Sequence, residues 1–143
     1  RIHHFLKVYA YADIIGRLEG LPAKRLAILQ TAAVLHDIGI HKAEEKYGSS
    51  SGHFQEIEGP APARAILEEL GAAEDFIERV TFLIAHHHTY SGVDGVDYQI
   101  LLEADFLVNA YEDQLKPEAI RTFKEKVFRT QTGLELLKYT YGV

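Results

Sequence analysis

Residues 23–39 of the chain read AKRLAILQTAAVLHDIG, and this stretch decides how the rest of the sequence is interpreted. A helix drawn through residues 23–38 would be apolar on nearly every side, which is typical of a helix buried in a core. Gly39 then predicts a C-terminal cap. The helix nevertheless ends in His36-Asp37, two side chains that bind metals, and a lone buried Asp is costly unless a charge compensates it. Taken alone, the pair equally fits an ordinary helix end beside a hydrogen-bonded histidine.

Helical spacing of apolar residues recurs along the chain, broken by Gly and Pro, whereas no hairpin signal separates alternating apolar runs. Further helices are predicted over residues 1–19, 60–70, 73–88, 98–114, 117–129 and 134–139. The polar segment 41–59, with Gly48-Ser49-Ser50-Ser51-Gly52 at its centre, predicts a long loop. The sequence therefore predicts an all-α fold, a single-domain helical bundle spanning residues 1–143, with about five core helices and further C-terminal helices.

The composition excludes several classes of function. With 21 acidic and 15 basic residues the formal net charge is −6, and a duplex-binding surface needs clustered Lys and Arg. The absence of cysteine excludes disulfides, thiolate nucleophiles and Cys-ligated zinc. No apolar run approaches the roughly 18 residues that span a bilayer, and the N-terminus lacks a signal-peptide layout. We expect a cytoplasmic protein that binds neither duplex nucleic acid nor a membrane.

Three consecutive histidines close the helix predicted over residues 73–88. Its apolar residues recur at intervals of three and four and define an inward face: Phe76, Ile77, Val80, Leu83 and Ile84. His87 continues this face and is predicted to point inward as a metal ligand. His86 projects toward Phe82 and is better explained as a histidine at the negative end of the helix dipole. For His88 the two interpretations are equally supported.

Asp105 is the sharpest anomaly, because it stands where a core-facing helix position calls for an apolar residue. It is flanked by Leu101, Leu102, Leu107 and Val108. A buried carboxylate without a partner is protonated or destabilises the fold. Arg64 or Arg79 could pair with it, but a metal ion is the more economical partner given the histidines nearby. On the first helix, His3 and His4 both lie among apolar positions, and periodicity does not choose between them.

The order His4, His36-Asp37 and Asp105 resembles the H…HD…D signature of the HD-domain superfamily of metal-dependent phosphohydrolases. Local context supports the resemblance in three segments: 1–8 (RIHHFLKV), 32–39 (AAVLHDIG) and 101–105 (LLEAD). The first segment resembles the family pattern with its ligand four residues before Val, which selects His4 over His3. The resemblance covers about residues 1–110, and it implies the helical-bundle fold that the apolar periodicity also predicts.

The resemblance further implies that His4, His36, Asp37 and Asp105 bind one divalent metal ion. Nitrogen and oxygen ligands admit Mn, Fe, Co, Ni, Mg or Zn. Asp37 would hold this ion and could bridge to a second one, for which His87 and His88 resemble the later histidine pair of two-metal relatives. The ligand expected from the helix between them is less clear. Glu58 precedes Gly59 where His is more usual in the family, so Glu58 is a candidate ligand or general base, and His53 a weaker one.

The predicted function is hydrolysis of a small phosphomonoester or phosphodiester, expected to be nucleotide-like, by attack of a metal-activated water on phosphorus. Asp37, Glu58 and Lys42 are the candidate catalytic residues, with Lys42 contacting phosphate or standing as a solvated loop charge. The expected partner is a small phosphorylated substrate. Two alternatives stay open: a diiron, oxygenase-type HD protein, and a non-catalytic module that binds a metal or a nucleotide.

Overall fold

The computed structural model describes residues 2–143, and this part of the chain forms nine α-helices and no β-strand. The helices are α1 (Ile2–Leu18), α2 (Ala23–Leu35), α3 (Ile40–Tyr47), α4 (Gly52–Glu58), α5 (Pro60–Glu69), α6 (Glu74–His86), α7 (Val96–Glu112), α8 (Pro117–Val127) and α9 (Gln131–Tyr141). The predicted all-α fold class is confirmed. None of these helices combines the length and the apolar character that crossing a bilayer requires.

The predicted loop over residues 41–59 is wrong, because α3 and α4 occupy most of it. The segment has too few apolar residues to show a clear periodicity, yet Ala, Glu and Lys in α3 are strong helix formers. In α3 only Ile40 and Ala43 are buried, and in α4 only Gln55. These helices are held by contacts with each other and by contacts of α4 with α5 and α6, which sequence spacing does not reveal.

Helix α7 lies at the centre of the fold and packs against α1, α2, α8 and α9. It buries 12 of its 17 residues, among them apolar side chains on every side of the helix. Helices α1, α2 and α7 contact one another pairwise, while α6 packs against α2 and α5. Polar residues on the inward faces of α1, α2 and α7 are therefore brought together inside the core.

The turn that follows α2 is shaped by a close approach of two backbones. Helix α2 ends at Leu35, with His36 in the capping position, three residues before the predicted end. Gly39 has a right-handed φ of −84°, so it is not the left-handed cap that the sequence predicts. A Cβ atom on Gly39 would lie 2.6 Å from the backbone nitrogen of Gly59, and no side chain fits there. Glycine at position 39 thus lets residues 36–39 pack against the junction of α4 and α5.

Candidate metal centre

His36 and Asp37 lie in the turn that joins α2 to α3. The His36 side chain is fully buried, and its Nδ1–H donates to the Ala33 carbonyl oxygen at 2.7 Å. This bond directs Nε2, with its lone pair in the neutral ring, away from the helix. The Asp37 side chain is 8 % exposed, and its Oδ1 lies 3.3 Å from His36 Nε2. The two residues therefore present adjacent metal-binding atoms at the end of a buried helix.

His4 reaches the same point from α1. Its side chain is buried, whereas His3 is exposed, so the structure favours the histidine that the family resemblance selects. His4 Nε2 lies 3.2 Å from His36 Nε2 and 3.2 Å from Asp37 Oδ2. Its Nδ1–H donates to Glu112 Oε1 at 2.8 Å. A carboxylate on the far nitrogen fixes the orientation of a metal-binding imidazole and raises its basicity.

Asp105 closes the cluster from α7. Its Oδ1 lies 3.2 Å from His4 Nε2 and 3.3 Å from His36 Nε2. This oxygen is buried and has no hydrogen-bond partner of acceptable geometry, whereas Oδ2 accepts a hydrogen bond from the Asn109 side-chain amide at 3.1 Å. An unsatisfied buried oxygen costs free energy unless something positive lies beside it.

The spacing and the chemistry of these four side chains fit a divalent cation. With the Nδ1–H groups of His4 and His36 donating elsewhere, both Nε2 atoms and the carboxylate oxygens are electron-pair donors that would repel one another. At a metal–ligand distance of about 2.1 Å, neighbouring ligand atoms lie roughly 3.0 Å apart in octahedral and roughly 3.4 Å apart in tetrahedral geometry. The separations of 3.2 and 3.3 Å fall between these values. The ligand-capable atoms of His4, His36 and Asp37 all lie within 4.8 Å of one another.

The electrostatics of the cluster also call for positive charge. Burial opposes a charged imidazole, yet the carboxylates of Asp105 and Asp37 raise the pKa of His36 to about 9. Burial likewise favours a neutral carboxyl, yet the imidazoles of His36 and His4 hold the pKa of Asp105 well below its ordinary value. Both shifts go against the effect of desolvation, so neighbouring charges dominate in this cluster.

A second group of side chains lies beside the first, at the end of α6. Burial, together with the nearby His88 and His36, lowers the pKa of His87 to about 3, so the ring is neutral at physiological pH. Its Nδ1–H donates to the Ile84 carbonyl oxygen at 2.6 Å, and its Nε2 lies 4.0 Å from Asp37 Oδ1. The predicted inward orientation of His87 thus agrees with the structure. The His86 ring lies beside Phe82, with centroids 4.2 Å apart and planes inclined by 32°, on the side that its position in the sequence suggests.

Gln55 of α4 takes the place where the sequence offered Glu58 or His53. Its Oε1 lies 3.3 Å from the Nε2 atoms of both His87 and His88. Glu56, the next residue, accepts hydrogen bonds from the His88 backbone N–H at 2.9 Å and from the Thr89 hydroxyl at 2.7 Å. Gln55 therefore places an oxygen of α4 beside the histidines of α6, and Glu56 holds the histidine segment in position.

Glu58, His53 and Lys42 make contacts outside the His/Asp cluster, and the exposed position of Lys42 agrees with its alternative as a solvated charge. The Glu58 carboxylate accepts a hydrogen bond from the Tyr47 hydroxyl at 2.8 Å, and Lys46 Nζ lies 3.5 Å from it. Tyr47 first, and then Lys46 and Lys42, lower the pKa of Glu58 against a desolvation effect, so Lys42 belongs to this outer group. Lys42 and His53 are both exposed. The structure gives these three residues surface contacts rather than contacts with the His/Asp cluster.

The arginines that offered an alternative explanation for Asp105 are engaged elsewhere. Arg64 donates to Glu74 Oε1 at 2.9 Å on the surface. Arg79 donates to Asp97 Oδ1 at 2.7 Å, near the beginning of α7. Neither arginine therefore pairs with Asp105, whose Oδ1 faces His4 and His36.

A family model for the HD domain matches residues 1–124, a span that contains His4, His36-Asp37 and Asp105. The chain belongs to the HD-domain family. This membership places it among metal-dependent hydrolases, and the His/Asp cluster described above is able to hold a metal ion. Neither a curated protein nor a solved structure matches the chain.

Two residues that contact the candidate metal ligands, Glu112 and Gln55, are not among the site residues predicted from the sequence. Glu112 hydrogen-bonds His4 across 108 residues of sequence, and it stands in a polar helix end where an acid is unremarkable. Gln55 reaches the α6 histidines across 32 residues from a segment predicted as loop. One signal existed for Glu112: it lies seven residues after Asp105 on the same helix, and seven residues are close to two full turns.

Proposed function

We propose that this HD domain is a phosphohydrolase that cleaves a small phosphomonoester or phosphodiester, with a nucleotide-like compound as the expected substrate. The observation that carries the proposal is the convergence of His4 Nε2, His36 Nε2 and Asp105 Oδ1 within 3.3 Å, with Oδ1 lacking a hydrogen-bond partner. Buried oxygen and nitrogen ligands of this kind suit the divalent ions used in phosphoryl chemistry.

His4, His36, Asp37 and Asp105 would hold the ion. A divalent ion bound there lowers the pKa of a coordinated water and polarises a phosphoryl oxygen. The Nδ1–H bonds to Glu112 and to the Ala33 carbonyl keep both imidazoles in the orientation that presents Nε2. This arrangement is fixed before a substrate arrives, because His4 and Asp105 lie on packed helices and His36-Asp37 lie in the short buried turn directly after α2.

Asp37 has a second role, since its carboxylate faces both groups of histidines. Its Oδ2 lies 3.2 Å from His4 Nε2, while its Oδ1 lies 3.3 Å from His36 Nε2 and 4.0 Å from His87 Nε2. Its side chain keeps a small exposed fraction, so it is reachable by water. We assign Asp37 to ligation and to accepting a hydrogen bond that orients the attacking water.

A second ion position is favoured by the atoms around Gln55. The neutral His87 Nε2, the Gln55 Oε1 and the Asp37 Oδ1 are electron-pair donors that face a common space, with His88 Nε2 at 3.3 Å from the Gln55 oxygen. Two iron ions in this arrangement would also suit oxygenase chemistry, which is the second candidate function. Iron content together with oxygen consumption and no phosphate release would favour this second candidate.

The proposal is tested by stripping the protein of metal and adding Mn, Co, Ni, Fe, Zn or Mg separately. Hydrolysis of p-nitrophenyl phosphate and of bis(p-nitrophenyl) phosphate is then measured for each metal. We expect metal-dependent release of nitrophenol, and a loss of at least about a hundredfold in kcat for Asp37→Asn. Asp113→Asn, an exposed acid at the end of α7, is the matched control and should keep full activity. Full activity of Asp37→Asn, or turnover without metal, would exclude the proposed mechanism.

A further inference from the structure

An apolar cavity of about 460 Å³ borders Asp37, and the chemistry assigned so far does not use it. It opens to solvent and is lined by the first turn of α1, the last turn of α2, the following turn and the first residues of α3. The apolar side chains that line it include Phe5, Val34, Leu35, Ile38 and Ile40. Asp37 and His41 are the polar residues of this lining.

The size and the lining of this cavity match a site for part of a small molecule. Small-molecule sites range over about 300 to 1,000 Å³ and are mostly apolar, with a few placed polar groups. A sugar or a second phosphate entering such a space would lose hydration without gaining hydrogen bonds. An aromatic or alkyl group would instead remove apolar surface from water on both sides of the contact.

The position of the cavity connects it to the metal ligands. Asp37 lines the cavity and also lies 3.2 Å from His4 Nε2 through Oδ2. His36, the neighbouring residue, is fully buried behind it. A phosphoryl group held near Asp37 would therefore extend its ester substituent along Phe5 and Ile38.

We propose that this cavity binds the alcohol part of the substrate ester, and that this part is an aromatic or alkyl group. The inference rests on the proposed phosphohydrolase function and narrows its substrate class. It favours esters in which an apolar group is attached close to the phosphate over polyphosphates, sugar phosphates and nucleotides, whose phosphate is attached to a hydrophilic ribose. An aryl or alkyl phosphate ester therefore replaces the nucleotide-like compound as the expected substrate.

The test compares the binding of two phosphonates that the protein does not hydrolyse, using protein loaded with Mn. Phenylphosphonate and methylphosphonate share the charged group and differ only in the apolar substituent, so their affinity ratio isolates the cavity. By isothermal titration we expect phenylphosphonate to bind about tenfold more tightly. Equal affinities would overturn this inference alone. Failure of both compounds to bind would overturn the proposed function and this inference with it.

Two variants assign the preference to the cavity. Phe5→Ala removes a ring from the lining, and Val34→Asn places an amide at a position that is 37 % exposed and tolerates polarity. We expect either change to reduce the affinity ratio at least about threefold. The controls are Leu6→Ala, on the exposed side of α1, and Val96→Asn, an exposed valine at the start of α7. If Phe5→Ala fails to fold, Val34→Asn decides, and an unchanged ratio in Val34→Asn overturns the inference.

Discussion

Glu103 and Asp105 stand two residues apart on α7, both buried, and their surroundings are opposite in character. The Glu103 carboxylate accepts hydrogen bonds from the Gln99 amide at 2.6 Å, the Arg129 backbone N–H at 2.8 Å and the Thr130 backbone N–H at 3.0 Å. Its other oxygen accepts from the Thr130 hydroxyl. Asp105 Oδ1 faces two imidazole nitrogens at 3.2 and 3.3 Å without a hydrogen bond.

This difference separates a carboxylate with a structural role from one that is suited to bind a metal ion. Glu103 is surrounded by donors, and Thr130 in turn caps α9 by accepting a hydrogen bond from the Gly133 N–H, so Glu103 positions the C-terminal helix. Asp105 Oδ2 accepts one hydrogen bond from Asn109, but its Oδ1 faces two imidazole nitrogens that present lone pairs once the other ring nitrogens have donated. Burial is equal in the two cases, so it is the identity of the neighbouring atoms that indicates a ligand.

Asp105→Asn should produce the largest effect on metal binding. The amide has nearly the same shape but loses the charge, so we expect metal affinity to fall by at least about a hundredfold. The readout is thermal unfolding with and without metal, where a ligand at a hundred times its Kd stabilises by about 2.7 kcal/mol. Wild type should show this shift and Asp105→Asn should lose it. An equal shift in both proteins would remove Asp105 from the ligand set.

Glu103→Gln should lower the stability of the protein and leave its metal affinity nearly unchanged. Replacing one oxygen by an NH2 group sets donor against donor, and we expect the free energy of unfolding to fall by about 2 to 3 kcal/mol. Metal affinity should stay within about threefold of wild type. Urea unfolding of metal-stripped protein measures the first quantity, with the exposed Glu118→Gln as the control. Loss of metal affinity at unchanged stability would contradict the distinction between the two carboxylates.

Glu112→Ala should weaken metal binding less than Asp105→Asn does. Glu112 acts through His4 by accepting the Nδ1–H bond at 2.8 Å, and removing such a partner costs about tenfold to a hundredfold in metal affinity. Competition with a fluorescent chelator measures the change. Asp113→Ala, the neighbouring exposed acid, should behave like wild type. Equal affinities for Glu112→Ala and Asp113→Ala would show that His4 keeps its orientation without the carboxylate.

Periodicity was sufficient to find Asp105 and His87, because each is a polar residue at a position where a regular pattern calls for an apolar one. Both are buried in the structure, beside the motif at His36-Asp37. The same reasoning predicted the long helices, whose amphipathic or apolar patterns extend over three or more turns. Residues that violate a strong local pattern are thus visible in sequence alone.

Residues that follow their local pattern are not visible in this way. Glu112 lies in a polar helix end and Gln55 lies in a short polar helix, and both act only through partners far away in sequence. Gly39 shows the same limit, since its role depends on the backbone of Gly59, 20 positions later. The family spacing along the chain points to Glu58, with His53 as the weaker candidate, whereas the turn of α4 brings Gln55 to face the α6 histidines.

Asp97 is a third buried carboxylate on α7, and it is paired with an arginine. Of the substitutions considered, Asp97→Asn should give the smallest change in the free energy of unfolding. Its Oδ1 and Oδ2 accept hydrogen bonds from Arg79 at 2.7 and 3.0 Å. Burial opposes ionisation, but Arg79 holds the pKa of Asp97 below its ordinary value. The ionised pair therefore stabilises the fold fully above about pH 4, the ordinary range of an Asp, and the contribution is lost as pH falls through the lowered pKa of the folded protein.

The pair is tested by comparing wild type with Asp97→Asn across this range. At pH 7 we expect the variant to unfold with about 1 to 2 kcal/mol less free energy, as for hydrogen bonds to a charged group. Every other carboxyl titrates in both proteins, so the difference between them isolates Asp97. Urea unfolding from pH 7 to pH 2.5 should show this difference shrinking below pH 4. A difference that stays constant over the range would mean that the arginine stabilises Asp97 by hydrogen bonding alone and leaves its titration unchanged.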